Sequence, residues 1–232
     1  MVARAMKKDR KLVIIGDSAF AEVAYEYFTH DSRYEVAAFA VEQAFLKHDR
    51  LFDRPVVPLE GLAERFPPQT HDVYVAIVYS QLNRLRTRLM QHAKQVGYGL
   101  ASYVSPAAFI WRNVAMGEHC FIFENNVVQP FVTLGSNVVL WSGNHIGHHS
   151  RIRDNVFVSS HVVVSGFCDI GENCFLGVNS AFANNIAVGK DCWIGPGVVI
   201  SKNIGNGEIH RAPESELAKV SAPRFFKVKD QA

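Results

Sequence analysis

The stretch NHIGHHSRI, residues 144 to 152, holds His145, His148 and His149 within five positions. A neutral imidazole can accept a proton near neutral pH or ligate a metal ion, so the cluster admits a general base, a zinc site or a decorated turn. The four cysteines, Cys120, Cys168, Cys174 and Cys192, lack CxxC spacing, which points to reduced thiols rather than a disulfide framework or a zinc ribbon. A second candidate is the turn GDSAFAE, residues 16 to 22. It follows an apolar run and precedes a helical pattern, so it would present backbone N–H groups and a helix N-terminus to phosphate. Tyr79 and Ser80 follow the third apolar run and would stand at the adjacent crevice.

Two kinds of element must position these groups. Residues 11 to 103 alternate short apolar runs with helical patterns: KLVIIG, AFAEVAYEYFTH, YEVAAFAV, RPVVPLEGLAERF, DVYVAIV and SQLNRLRTRLMQHAKQVG. The last segment has a Ser start and Gly97 as its stop. This order predicts a small Rossmann-like parallel sheet with helices on its faces.

From Val104 to Ile200 every sixth residue is apolar, seventeen in succession. Glycine often follows, as at Gly117, Gly135, Gly147, Gly171, Gly177, Gly189 and Gly195, and is expected to ease a tight turn. A six-residue period suits neither an α-helix nor one long strand. It predicts a parallel β-helix of nearly six coils, each hexad forming one side of a triangular prism. Residues 18 apart should stack, so Asn126 and Asn144 could form an internal amide ladder. All four cysteines fall in the small inward phase and read as buried packing thiols. His148 falls outside both inward phases and should point outward. The expected organisation is an α/β domain over 1–103, a β-helix over 104–205 and a tail over 206–232.

The bulk numbers agree with a globular chain. Of 232 residues, 48% are hydrophobic and 20% charged, and the net charge is +2, so nothing calls for nucleic acid or an anionic membrane. No apolar run is long enough to insert in a bilayer, and the basic N-terminus leads into a strand rather than a signal peptide. The expected location is cytoplasmic.

The hexads, with VIIGDSAFAEVAYEYF ahead of them, resemble the hexapeptide-repeat acyltransferases, in particular the nucleotide-sugar acetyltransferases of bacterial surface-glycan pathways: the bacillosamine-pathway N-acetyltransferase and the sialic-acid O-acetyltransferase group. The resemblance covers residues 11 to about 205. It implies a left-handed β-helix, a homotrimer, acetyl-CoA lying along the β-helix between subunits, and a nucleotide-linked amino sugar held by the N-terminal domain. GHHSRIRDNVFV and CFLGVNS place His148 at the catalytic position, and His149 where the family has an acidic residue. Asp154 and Glu124 are alternative carboxylates to orient His148. Phe157, Gly166, Gly177, Val178, Gly195, Pro196 and Gly197 would line the acetyl-CoA groove. Asp17, Ser18, Ala19, Phe20, Tyr79 and Ser80 would contact the sugar nucleotide, with Glu42 standing alone where relatives often carry an acidic pair.

The expected reaction is direct transfer of acetyl to the sugar amine, with His148 as base and no metal. Three rivals remain open: transfer to a hydroxyl, a zinc enzyme of the gamma-carbonic-anhydrase kind using His119, His145 and His148, and a trimeric binding scaffold without catalysis.

Overall fold

The structure is a computed structural model that describes residues 7–228. Its N-terminal part runs β1 (Arg10–Ile15), α1 (Ala19–His30), β2 (Tyr34–Val41), β3 (Arg50–Leu51), β4 (Arg54–Pro58), α2 (Leu62–Arg65), β5 (His71–Val75), α3 (Arg84–Val96) and β6 (Gly99–Leu100). The sheet order is β3-β4-β2-β1-β5-β6, all parallel except the β3–β4 hairpin. The central strands read as apolar runs because both faces are covered: Leu12, Val13, Ile14, Val73, Tyr74 and Val75 are fully buried. The chain moves from β1 to β2 on one side and to β5 on the other, so the carboxyl end of β1 is a topological switch point. Helix α3 starts later than its Ser80 signal suggests. Its N-cap is Asn83 in a left-handed conformation, and Gly97 closes it with φ 101°.

From Tyr103 the chain winds into seventeen two-residue strands, β7 (Tyr103–Val104) to β23 (Val199–Ile200), one per hexad. From β7 to β20 each pairs in parallel with the strand 18 residues on, as Phe121 with Val139 and Phe157 with Phe175. Three sheets result, one per side of the prism. The second residue of each strand points inward, and Ile122, Leu140, Ile146, Val164, Leu176 and Ile194 are fully buried. Each such side chain contributes about 1.5–3 kcal/mol by leaving water. The four cysteines lie in the same core. The winding continues beyond residue 205: β24 (Ile209–His210) pairs with Trp193–Ile194, a spacing of 16 rather than 18.

Two local expectations are corrected. The turns are not made by the hexad glycines. Every sixth residue from His119 to Gly197 has positive φ, and these are mostly Asn, His and Phe. Asn tolerates that region best among non-glycine residues. The glycines instead permit close stacking: an added Cβ at Gly177 would stand 2.7 Å from the Gly195 backbone. The asparagines do not form a direct ladder either. Asn126 Nδ2 donates to the carbonyls of Phe123 and Trp141, and Asn144 Oδ1 accepts from the Val162 N–H, so amide and backbone alternate up the column.

The α/β domain lies on one side of the prism and grips the two vertices beside it. On that side the outward residues Tyr103, Phe121, Val139, Phe157 and Phe175 are all buried. They meet Phe20, Tyr27, Phe28 and Tyr74 in a continuous aromatic cluster. At one adjoining vertex α3 docks on a column of left-handed residues. Asn83 Nδ2 donates to the carbonyls of Asn173 and Cys174 at 3.2 and 3.1 Å, and Arg84 pairs with Asp191 at 2.6 Å. Arg86 is fully buried with its Nε donating to Asn137 Oδ1 at 2.9 Å and its Nη atoms donating to the carbonyls of Ile77, Val78, Asn137 and Asn155. His119, also fully buried, accepts the Val75 N–H on Nε2 at 2.8 Å. Its Nδ1–H therefore faces Asn137 Oδ1, at 2.9 Å. At the other adjoining vertex Tyr27 OH donates to Glu124 at 2.7 Å.

Candidate active site

The hexad phase assigns each turn to a vertex. Glu124, Ser142, Val178 and Pro196 stack on the first, Pro130, His148, Gly166 and Asn184 on the second, and Ser136, Asp154, Glu172 and Lys190 on the third. The side covered by the α/β domain runs between the third vertex and the first. The second vertex lies opposite it, and among the described residues no side-chain hydrogen bond or salt bridge joins it to that domain.

His148 is exposed on this free vertex. Its backbone N–H donates to Gln129 Oε1 at 2.9 Å. The Cε1 end of its ring lies against Gly166, where an added Cβ would come within 2.9 Å of Cε1 and 3.0 Å of Nε2. A side chain at 166 would push the ring aside, so Gly166 lets the His148 ring take this position. His148 Nδ1 stands 3.1 Å from His149 Nδ1, and its ring meets the Phe167 edge with centroids 5.1 Å apart. Nε2 is left open for an incoming group.

Neither carboxylate considered for His148 reaches it within this chain. Asp154 sits on the third vertex and accepts the Ser136 N–H at 2.7 Å. Glu124 sits on the first; burial works against its charge, yet the hydroxyls of Ser142 and Tyr27 hold its carboxyl below the ordinary value. The three-histidine zinc set also comes apart. His119 is on the third vertex with both ring nitrogens engaged, and burial lowers its proton affinity to a pKa of about 3. Among the described residues no group of three His, Cys, Asp or Glu side chains is arranged to hold a metal ion. His145 points outward from the side between the first and second vertices, half-buried between Val127 and Val163.

The residues assigned to the acetyl-CoA groove separate. Val178, Pro196 and Gly197 form an exposed edge on the first vertex. Gly177 and Gly195 are buried in the turns beneath it and serve stacking. Phe157 does not line a groove. It is 3% exposed, roofed by Tyr79 with centroids 5.3 Å apart and by the Arg86 guanidinium at 5.7 Å.

The sugar-nucleotide set separates too. At the switch point a crevice of about 230 Å³ is lined by Gly16, Asp17, Val41, Glu42, Lys47 and Ile77, among others. Ser18 and Ala19 are exposed at the start of α1. Phe20 is turned away: at 2% exposure it packs on Phe121 and Trp141, in the joint between the two parts. Tyr79 leans from the end of the third run onto Phe175, with centroids 4.3 Å apart, and does not line the crevice; Ser80 is half-buried beside it. Glu42 accepts both Arg88 Nη groups at 2.8 and 2.9 Å, and those bonds hold its carboxyl below the ordinary value. Lys47, Arg88, Gln129, Phe131 and Phe167 are neighbours that spacing arguments missed. Phe131 and Phe167 carried a signal, because they stand 18 residues either side of His149.

Comparison with known proteins agrees with this architecture. Residues 169–202 match the model for the hexapeptide repeat of succinyl-transferase. No curated protein matches the sequence. Among solved structures, the acetyltransferase domain of PglB from Neisseria gonorrhoeae is 23% identical, with a TM-score of 0.78 over 87% of this chain and 96% of that one. PerB from Caulobacter crescentus, solved with CoA and GDP-perosamine, is 23% identical, with a TM-score of 0.76 over 86% of this chain and 92% of that one. WeeI from Acinetobacter baumannii is 19% identical, with a TM-score of 0.66 over 87% of this chain and 96% of that one. The chain thus has the fold of the hexapeptide-repeat sugar acetyltransferases, a small α/β domain followed by a left-handed parallel β-helix.

Proposed function

We propose that this protein is an acetyl-CoA-dependent N-acetyltransferase acting on a nucleotide-linked amino sugar for a bacterial surface glycan. PerB was solved with CoA and GDP-perosamine, and the PglB domain with acetyl coenzyme A, which supports the ligand classes. The observation that carries the reading is the placement of His148. It stands exposed, its ring beside Gly166 and its Nε2 open.

The sugar nitrogen, as a neutral amine, attacks the thioester carbonyl. A C–N bond forms, the C–S bond breaks, and CoA leaves as the thiol. His148 Nε2 takes the proton that the amine sheds and passes it to the departing sulfur, so no acyl-enzyme is needed. The crevice at Asp17, Glu42 and Lys47 is the site for the nucleotide. Lys47 supplies positive charge, and the start of α1 supplies free N–H groups for the diphosphate.

One chain does not complete this site. Its crevice domain covers the side opposite the vertex that carries His148. The reading therefore requires assembly, a homotrimer in which His148 of one subunit meets the crevice of the next. The edge at Val178, Pro196 and Gly197 belongs to the acetyl-CoA groove in the same assembly.

The test is release of CoA thiol from acetyl-CoA across UDP-, dTDP- and GDP-linked sugars, each in amino and hydroxy form. Acetylation of an amino sugar, with His148→Ala at least a hundredfold slower but still binding CoA, is the expected result. Turnover of hydroxy sugars alone would move the assignment to O-acetylation. A His148→Ala loss below about tenfold would remove the general base.

A further inference from the structure

We infer that His149 does for His148 what a carboxylate would do: as a neutral hydrogen-bond acceptor, it fixes the tautomer of the base. The inference rests on the acetyl-transfer reading for its kinetic consequence, but its structural content stands apart from that reading.

The geometry is specific. The two Nδ1 atoms are 3.1 Å apart, so one of them carries a hydrogen and the other accepts it. Only one arrangement leaves His148 able to take a proton on Nε2: His148 Nδ1–H donates to His149 Nδ1, and His149 keeps its own hydrogen on Nε2. When His148 accepts the amine proton, this hydrogen bond becomes charge-assisted and shorter-range, which favours the protonated base. Two N–H groups cannot face each other at this distance, so His149 Nδ1 carries no hydrogen while this bond is made.

The ring of His149 is also held in place. It is sandwiched between Phe131 and Phe167, with centroids at 4.6 and 4.7 Å and interplanar angles of 25° and 15°. These three residues occupy the same turn position in successive coils, with φ of 66°, 60° and 60°. The stack orients the His149 ring edge, and hence its Nδ1 lone pair, toward His148. Both phenylalanines are more than half exposed in the single chain. His149 is accordingly a positioning residue, acting through His148.

The repeat also supplies a clean variant. Because Phe already fills this turn position in the coils on either side, His149→Phe keeps the backbone conformation and the stack while removing the acceptor. His149→Asp restores an acceptor in the form of a carboxylate.

Nitrogen-15 NMR of the full-length protein labelled at histidine reads the ring tautomers directly, with His148→Gln used to assign the signals. In the wild type, His148 is expected mainly as the Nδ1–H form, and in His149→Phe it should move to the Nε2–H form that free histidine prefers. In the thiol-release assay, His149→Phe should lower kcat about tenfold to a hundredfold with KM for acetyl-CoA nearly unchanged, and His149→Asp should recover most of that loss. An unchanged His148 tautomer in His149→Phe overturns the inference, whether or not any sugar is acetylated. So does a kcat within about threefold of the wild type. Inactivity of the wild type on every amino sugar would count against the enzymatic reading alone, since the tautomer measurement needs no turnover.

Discussion

Lowering the pH from 7.5 to 5 should loosen the joint between the α/β domain and the prism, and His119 is the group that makes it do so. Folded, His119 is fully buried with its Nε2 accepting the Val75 N–H, so a proton there would cost a hydrogen bond and place a charge beside Arg86. Burial, opposed by the hydrogen bond to Asn137 and aided by the charge of Arg86, keeps its pKa at about 3 against an ordinary 6.5. The folded state thus binds fewer protons than the unfolded state between those values, and stability falls as pH drops through 6.5. At pH 5 the loss is about 2 kcal/mol from this group alone. Above pH 7 it vanishes. His119→Asn is a suitable comparison, because Asn137, Asn155 and Asn173 hold the same turn position with φ near that of His119, 60°. The shorter side chain gives up the Val75 bond, a loss of about 1–3 kcal/mol at every pH. It does not titrate. Urea unfolding followed by tryptophan fluorescence, at several pH values from 7.5 to 5, gives both curves. The gap between wild type and variant should close by about 2 kcal/mol on acidification, while the carboxylates common to both proteins cancel. Parallel curves would show that His119 is protonated in the folded protein and that the tautomer drawn from its two contacts is wrong.

Three further outcomes follow from particular contacts. Gly166→Ala should cut the acetylation rate about tenfold to a hundredfold, since its Cβ would stand 2.9 Å from the His148 ring; the thermal midpoint should barely move, which separates displacement of the ring from unfolding. Arg86→Met should destabilise the protein by about 2–4 kcal/mol in urea unfolding, because it strands buried acceptors on Ile77, Val78, Asn137 and Asn155 while relieving the burial of a charge without a carboxylate partner. None of the four cysteines should react with an aromatic disulfide reagent at pH 8 until denaturant is added: all are buried, and burial pushes the thiols of Cys120 and Cys174 up to about 11 and about 12. Prompt labelling of the native protein would contradict that burial.

The prism was legible because its constraint is local and repeated. Each hexad places one aliphatic residue inward, and all seventeen strands stand where the run from Val104 to Ile200 put them. Placing His148 outside the inward phases sufficed to predict its outward direction. What the hexad period conceals is which side of the prism is covered. That information lies at a spacing of 18, in the outward column Tyr103, Phe121, Phe157, Phe175 and Trp193, four of them aromatic neighbours of the α/β domain. Phe20 and Phe157, which the resemblance implied as ligand contacts, are hidden for the same reason: each is buried only once the α/β domain is packed on the prism. His119 could not be separated from His145 and His148 by composition. Its fate depends on the end of β5, forty-four residues earlier in the chain. The partner of His148 was half legible, since the phase put His149 beside it, whereas the aromatic clamp needed the coils above and below.

A winding with an 18-residue repeat also restricts how such a chain can change length. Adding or removing 18 residues between His148 and Val178 would lengthen or shorten the prism and leave every later residue on its own side. Removing six would swing everything downstream by a third of a turn. Val178 and Pro196 would pass to the vertex now held by Glu172 and Lys190, and Phe175 and Trp193 would rotate out from under the α/β domain. Length variation in this half of the molecule is therefore quantised, with whole coils tolerated and single hexads scrambling both the docking surface and the groove at once.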